Sequence, residues 1–401
     1  MVNLGKKQLR QIVAELRRAL DPEPAVFGDI PEFDLTQAYH LYAELLKPVE
    51  KSWKNTGDLL IVAHGPLDQL PFSALPTAPM RLGQDKGVLF SKYLKVPWLI
   101  KKVSITRLPS ASSFITMRTL PDANPSRKAF VGFGDPLFNT KQLAQAQKTG
   151  TTVKKNLASY ESKLSVRGIR ITQTGNLDSK NITSCHLDSL NRLPDTAEEI
   201  KSIARALDAD LTTDIFTGEK ASERQVKTMD LSDRRVIAFA THALLPGDLD
   251  GLDQPALALC SPSVAGDNED GLLTMGEIMK LRMNADWVVL SACNTGAADG
   301  AGAEAVSGLG RAFFYAGTRA LLVSMWPVET TSARKLTSDL FRFQKEEKNI
   351  SRARALRKSM LELIDSQGFK DQATGKIVAS YAHPLFWAPF MIVGESSTNA
   401  Y

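Results

Sequence analysis

Two short apolar runs, each ending in a residue that can do chemistry, limit most sharply what this chain can fold into. The first, Val236-Ile237-Ala238-Phe239-Ala240-Thr241, leads into His242. The second, Trp287-Val288-Val289-Leu290, passes through the small residues Ser291-Ala292-Cys293-Asn294-Thr295 and breaks at Gly296. Short apolar runs bounded by turn signals read as buried strands, and an Asn-Thr-Gly end reads as a sharp turn. Open α/β sheets gather their chemistry at the carboxyl ends of strands. A cysteine at one strand end and a histidine at another, 51 residues upstream, are candidates for a nucleophile and its base.

The rest of the chain fits such a sheet. Apolar patterning predicts strands over 58–63, 104–108, 128–134, 212–217, 235–241, 286–292, 319–325 and 388–393. It predicts helices over 4–20, 36–50, 195–207, 222–229, 274–281, 303–316, 330–347 and 351–366. Strands alternating with helices imply a mainly parallel sheet covered on both faces. Two parts are expected, an N-terminal helical and α/β part over 1–125 and a catalytic part over 126–401. Residues 139–190 are rich in Thr, Ser, Lys, Asn and Gln and read as a mobile surface insertion, the kind of segment where chains are nicked.

Composition removes several function classes. At 43% hydrophobic and 23% charged the 401-residue chain reads as an ordinary soluble protein. A net charge of +5 without a clustered patch does not support nucleic-acid binding. No apolar run reaches the roughly 20 residues of a membrane span. Three cysteines, Cys185, Cys260 and Cys293, are too few for a disulfide framework and fit a reducing cytoplasm. Cys185-His186 lacks a second ligand pair, so no metal is expected. Gly300-Ala301-Gly302-Ala303-Glu304-Ala305, with Glu329 after the next strand, has the spacing of a dinucleotide fingerprint. The preceding strand ends too far before Gly300 for the tight turn such a site needs, so no cofactor is expected.

A thiol of pKa about 8.5 is only a few per cent thiolate at neutral pH. An imidazole within hydrogen-bond reach raises that share and can then protonate a leaving amine. The backbone N–H groups of Cys293 and Ala243 are the natural pair to hold an acyl oxyanion. Ser291, Asp253, Glu304 and Trp326 are candidates for the substrate pocket, with Asp248, Asp250 and Asp299 nearby in sequence as further acidic groups. An acidic pocket residue would select Arg or Lys. His64 and His383 read as structural.

Phe239-Ala240-Thr241-His242, then Asp270-Gly271-Leu272-Leu273-Thr274, then Leu290-Ser291-Ala292-Cys293-Asn294-Thr295-Gly296 together resemble the CHAT family, caspase-like domains associated with tetratricopeptide repeats. Gly308 to Gly317, Ser324-Met325-Trp326-Pro327-Val328-Glu329, His383-Pro384 and Trp387-Ala388-Pro389-Phe390 continue the resemblance downstream. Leu70 to Leu75 and Leu108 to Ser112 extend it upstream. The resemblance implies a caspase-like, three-layer α/β/α fold and cysteine endopeptidase chemistry related to separase, caspases and gingipains, with His242 and Cys293 at the dyad positions. It also implies a protein substrate and a bacterial defence or regulated-proteolysis setting, with activation by a partner, ligand or repeat region. The alternative is a catalytically silent interaction module. That alternative draws on Ala243, since the residue after the histidine is usually glycine in the family. If this position required positive φ, alanine would be strained there.

Overall fold

The computed structural model describes residues 4–22, 27–119, 124–149, 186–291, 301–326, 328–371 and 374–396. Thirteen strands run through these residues. The first five are β1 (Asp58–Ile61), β2 (Ser104–Arg107), β3 (Lys128–Pro136), β4 (Ile215–Gly218) and β5 (Arg234–Ala240). Three short strands follow, β6 (Ala243–Leu244), β7 (Ala256–Ala258) and β8 (Leu272–Thr274). The last five are β9 (Trp287–Leu290), β10 (Ala320–Ser324), β11 (Phe369–Lys370), β12 (Ile377–Ala379) and β13 (Phe390–Gly394). Among the described residues, those up to 125 and from 320 onward form one compact unit, and those between 126 and 319 form another.

The first unit carries strands in the order β1-β2-β13-β10. The β1–β2 and β2–β13 pairs are parallel and β13–β10 is antiparallel. Every residue of β10 is buried, as its unbroken apolar run requires. The helix Arg352–Ile364 buries Ala353, Leu356, Met360 and Leu363, and Arg357 on it donates to the carbonyls of Ile100 and Lys101 at 2.6 and 2.7 Å. The helix Lys6–Leu20 buries Ile12, Val13, Leu16 and Leu20 on the spacing of one helical face. Its Arg17 is buried with them and donates to the Met325 carbonyl at 3.0 Å.

The second unit carries β9-β5-β3-β4, all parallel. Both β5 and β9 are buried nearly end to end, which explains their lack of polar alternation. Phe133 on β3 stacks between Phe216 on β4 and Phe239 on β5, with ring centroids 5.3 Å apart on either side. Gly132 and Gly134 lie on one face of β3. A Cβ at Gly132 would come within 2.4 Å of Ile200, and one at Gly134 within 2.9 Å of it. Their bare backbone lets the helix Asp195–Ala206 sit directly on the strand. The antiparallel strands β6-β7-β8 form a small separate sheet over an apolar cluster of Phe138, Leu190, Leu244, Leu249 and Leu252.

The polar segment 139–190 is not irregular throughout. Its start is the helix Thr140–Thr149, and its end buries Leu190 in the apolar cluster, with Leu187 packed against it. Residues 150–185 lie outside the described residues. Few large apolar side chains mark this helix, so periodicity gives almost no signal for it.

Candidate functional site

His242 follows β5 by two residues, and the strand's register sets its place. Phe239 pairs with Leu290 of β9, and Gly134 of β3 pairs with Ala240. His242 therefore stands at the carboxyl end of the central strand of three. Its ring is buried, packs 5.5 Å from the Phe138 ring, and its Nε2 lies 2.7 Å from the Asn191 carbonyl oxygen. A carbonyl oxygen only accepts, so Nε2 carries the proton of the neutral ring and Nδ1 keeps its lone pair. Burial pushes the imidazole pKa down, against the opposing pull of the Asn191 hydrogen bond, and favours the neutral ring.

Thr241 and Ala243 fix the backbone on either side. The Thr241 hydroxyl donates to the Ala258 carbonyl, and the Ala258 N–H donates to the His242 carbonyl at 2.9 Å. Ala243 then pairs with Leu257. Hydrogen-bonded and open pairs alternate in an antiparallel ladder, so the Ala243 N–H points away from β7. Positive φ among described non-glycine residues occurs at Phe90, Asp135 and Asp208. Ala243 is not among them; it sits in extended strand, and the strain expected of an alanine in a left-handed position does not arise.

Cys293, and with it Asp299, lies outside the described residues. Ser291 is the last described residue of that strand end. Its N–H donates to the Phe239 carbonyl at 3.0 Å, and its hydroxyl donates to Glu199 Oε2 at 3.1 Å. Both Ser291 and Glu199 are buried. Asp253 is exposed on the loop between β6 and β7. On the same loop Asp248 is half-buried and accepts the Leu245 N–H at 2.7 Å. Glu304 falls in the first turn of the helix Ala301–Tyr315. Trp326 belongs to the first unit, where it is fully buried and donates its indole N–H to the Leu385 carbonyl at 3.0 Å. His64 is exposed. His383 is fully buried, and its Nδ1 accepts the Leu385 N–H at 3.2 Å to cap a short helix. Glu329, the acidic partner in the dinucleotide spacing, is a buried helix cap whose two oxygens accept the Thr331 and Ser332 N–H groups at 2.9 and 2.8 Å.

Several residues around His242 escaped sequence reasoning. Asn191 contributes a backbone oxygen, which no residue type announces. Arg192 and Asp135 form a bidentate pair at 2.8 and 2.6 Å beside it. Glu199 is a buried carboxylate on an amphipathic helix, where its spacing gave only an ordinary helix position. Among the described residues, Glu223, Glu269 and Glu277 are grouped closely enough to hold a cation. The Lys227 ammonium already lies among them, at 3.1, 2.5 and 3.0 Å. Among the described residues, no helix is long and apolar enough to cross a membrane.

A search of curated proteins by sequence returns no match. Among solved structures the chain is similar to the separase–securin complex of Saccharomyces cerevisiae, at 13% identity and a TM-score of 0.40. That match covers 93% of this chain but 18% of the separase chain, so this chain spans under a fifth of that protein's length. It is also similar to gingipain R, an Arg-specific cysteine proteinase, at 10% identity and a TM-score of 0.42, covering 98% of this chain and 75% of that one. The family model of the CHAT domain matches residues 36–395, and the chain belongs to that family.

Proposed function

We propose that the chain is a cysteine endopeptidase acting through Cys293 and His242. The observation that carries this reading is the state of His242. It is a buried neutral imidazole at a strand end, with Nε2 engaged by the Asn191 carbonyl and Nδ1 left as a base. Register supports the pairing. Phe239 and Leu290 are partners across β5 and β9, and His242 and Cys293 each lie three residues beyond them in sequence. In this reading the Cys293 thiol gives its proton to Nδ1, and the thiolate attacks the scissile carbonyl carbon. The N–H groups of Cys293 and Ala243 hold the oxyanion. The imidazolium then protonates the leaving amine, and a water activated by the same imidazole hydrolyses the thioester.

The silent-module alternative draws on Ala243, and the extended geometry at that residue, which carries no left-handed strain, supports the peptidase reading over it. Triggering by a partner or ligand belongs to the proposal on the family resemblance alone. Cleavage of the cell's proteins by wild type and by Cys293→Ala tests the reading. Wild type should generate new termini that the variant does not. A thiol-reactive peptide warhead should label Cys293 far faster than Cys260, whose thiol burial pushes up to about 11. Identical cleavage by the two proteins, or equally slow labelling of both thiols, would end the proposal.

A further inference from the structure

We propose that Asp135 and Arg192 are positioning residues that hold the Asn191 carbonyl on His242 and so fix which imidazole nitrogen is free to act as base. The inference deepens the peptidase reading and rests on it for the base's role in cleavage; the effect on the imidazole itself does not.

The argument starts at the end of β3. Gly134 pairs with Ala240, so Asp135 is level with Thr241, one residue before the candidate base. Asp135 is buried and holds φ at +49°, a left-handed conformation that costs an ordinary residue energy. Such strain persists only where the surroundings over-determine it. Here they do. The Asp135 N–H donates to the Thr196 hydroxyl at 2.7 Å, and that hydroxyl donates to the Leu193 carbonyl at 2.7 Å. Both Asp135 oxygens accept from Arg192, from Nε at 2.8 Å and from an Nη at 2.6 Å.

The clamped segment is the one that touches His242. Leu190 is buried, and its carbonyl accepts from the Gln142 side chain at 2.8 Å. The Asn191 carbonyl faces His242 Nε2. Arg192 is tied to Asp135, and the Leu193 carbonyl to Thr196. Four successive residues are thus fastened, and Asn191, the second of them, lends its carbonyl to the imidazole. The Asp135–Arg192 fork is the tie immediately beside it. It joins the segment to the strand that neighbours the histidine's own strand. A bidentate guanidinium–carboxylate pair fixes orientation as well as distance, which is what aiming a carbonyl requires.

Two loss variants and one rescue variant separate positioning from packing. Asp135→Asn keeps the shape and tolerates left-handed backbone, but loses the charge. Arg192→Met keeps the apolar stem and loses the fork. Arg192→Lys keeps the charge without the fork and tests rescue. The first readout is the nitrogen spectrum of histidine-labelled protein, with His242 assigned by His242→Gln. Wild type should show a protonated Nε2 and a bare Nδ1. Asp135→Asn and Arg192→Met should move both nitrogens toward averaged values. The second readout is peptide cleavage, where kcat should fall by between about tenfold and a hundredfold with KM little changed. Arg192→Lys should recover part of the loss. Melting temperature is followed in parallel.

Unchanged nitrogen shifts in both variants overturn the proposal, as does a wild-type ring protonated on Nδ1. A fall in kcat that follows melting temperature, with the tautomer unmoved, overturns it as well. If no peptide is cleaved by wild type while the tautomer shifts as expected, the peptidase reading fails and the clamp stands.

Discussion

Two buried histidines show how differently one residue type can be used. His242 has a carbonyl on Nε2 and, among the described residues, no hydrogen-bond partner on Nδ1. His383 is fully buried among Phe90, Tyr93 and Phe386, its Nδ1 spent on a helix cap. Burial pushes the His383 pKa down to about 3, whereas an unfolded histidine titrates near 6.5. Between these values the unfolded chain binds about one more proton than the folded one. Stability therefore rises with pH there by about 1.4 kcal/mol per pH unit from this residue, and falls as pH drops below about 6.5. His242 acts in the same direction. Asparagine at 383 can still accept the Leu385 N–H but does not titrate. His383→Asn should lose stability at pH 8 through poorer ring packing, by roughly 1–3 kcal/mol. Its denaturant-derived stability should then depend less steeply on pH between 6.5 and 4 than that of wild type. Parallel curves would refute the assignment of that slope to His383. The sequence marked both histidines by position alone. It proposes different roles for them, because His242 follows an apolar strand and has Cys293 as a candidate partner, while His383 lies in a loop. The Asn191 carbonyl was not legible, since any residue there supplies the same atom.

At the scale of elements, strands with both faces buried were the most readable. Their unbroken apolar runs fall within a residue or two of β5, β9 and β10 as observed. The helix Thr140–Thr149 was not readable, because polar composition hid it. The close seating of the helix Asp195–Ala206 was half-legible, since Gly132 and Gly134 are visible but the helix that needs their bareness is some sixty residues away in sequence. A methyl at Gly132 would meet both Ile200 and the Phe130 ring, at 2.4 and 2.6 Å. The helix would have to lift, and with it Thr196 and the segment that touches His242. Gly132→Ala should cost about 1–3 kcal/mol by overpacking and should also lower warhead labelling of Cys293. Gly317 makes the contrasting case. It ends the helix Ala301–Tyr315 at φ +109°, and a Cβ there would lie 2.1 Å from the Met283 carbonyl oxygen. Gly317→Ala should cost more than about 2 kcal/mol, because strained φ and a backbone clash combine. Urea titrations that place Gly317→Ala within experimental error of wild type would contradict this.

At the scale of the whole chain, the family match and the folded unit do not share a boundary. The match begins at residue 36, yet the helix Lys6–Leu20 is built into the first unit. Ile12, Val13, Leu16 and Leu20 are each 5% exposed or less. Arg17 donates to the Met325 carbonyl at 3.0 Å, and its guanidinium lies 5.8 Å from the centre of the Trp326 ring. The helical stripe was legible in the sequence, but its partners were not, because they lie far along the chain, the Gln69 carbonyl 52 residues and the Met325 carbonyl 308 residues away from Arg17. Each of the four large apolar side chains contributes about 1.5–3 kcal/mol when fully buried. Domains hold only about 5–15 kcal/mol in all, so the first unit cannot lose this helix cheaply. Removal of residues 1–22 should expose the apolar surface under the helix and leave the Met325 carbonyl without its buried donor. The shortened protein should melt well below the full chain and bind an apolar dye. A synthetic peptide of residues 1–22 should restore the transition in a concentration-dependent way, since a ligand that binds only the folded state stabilises it by mass action. Arg17→Ala in the full chain should fall between the two, losing the buried hydrogen bond but keeping the apolar stripe. An unchanged melting temperature after truncation would show that the helix rests on the unit without supporting it.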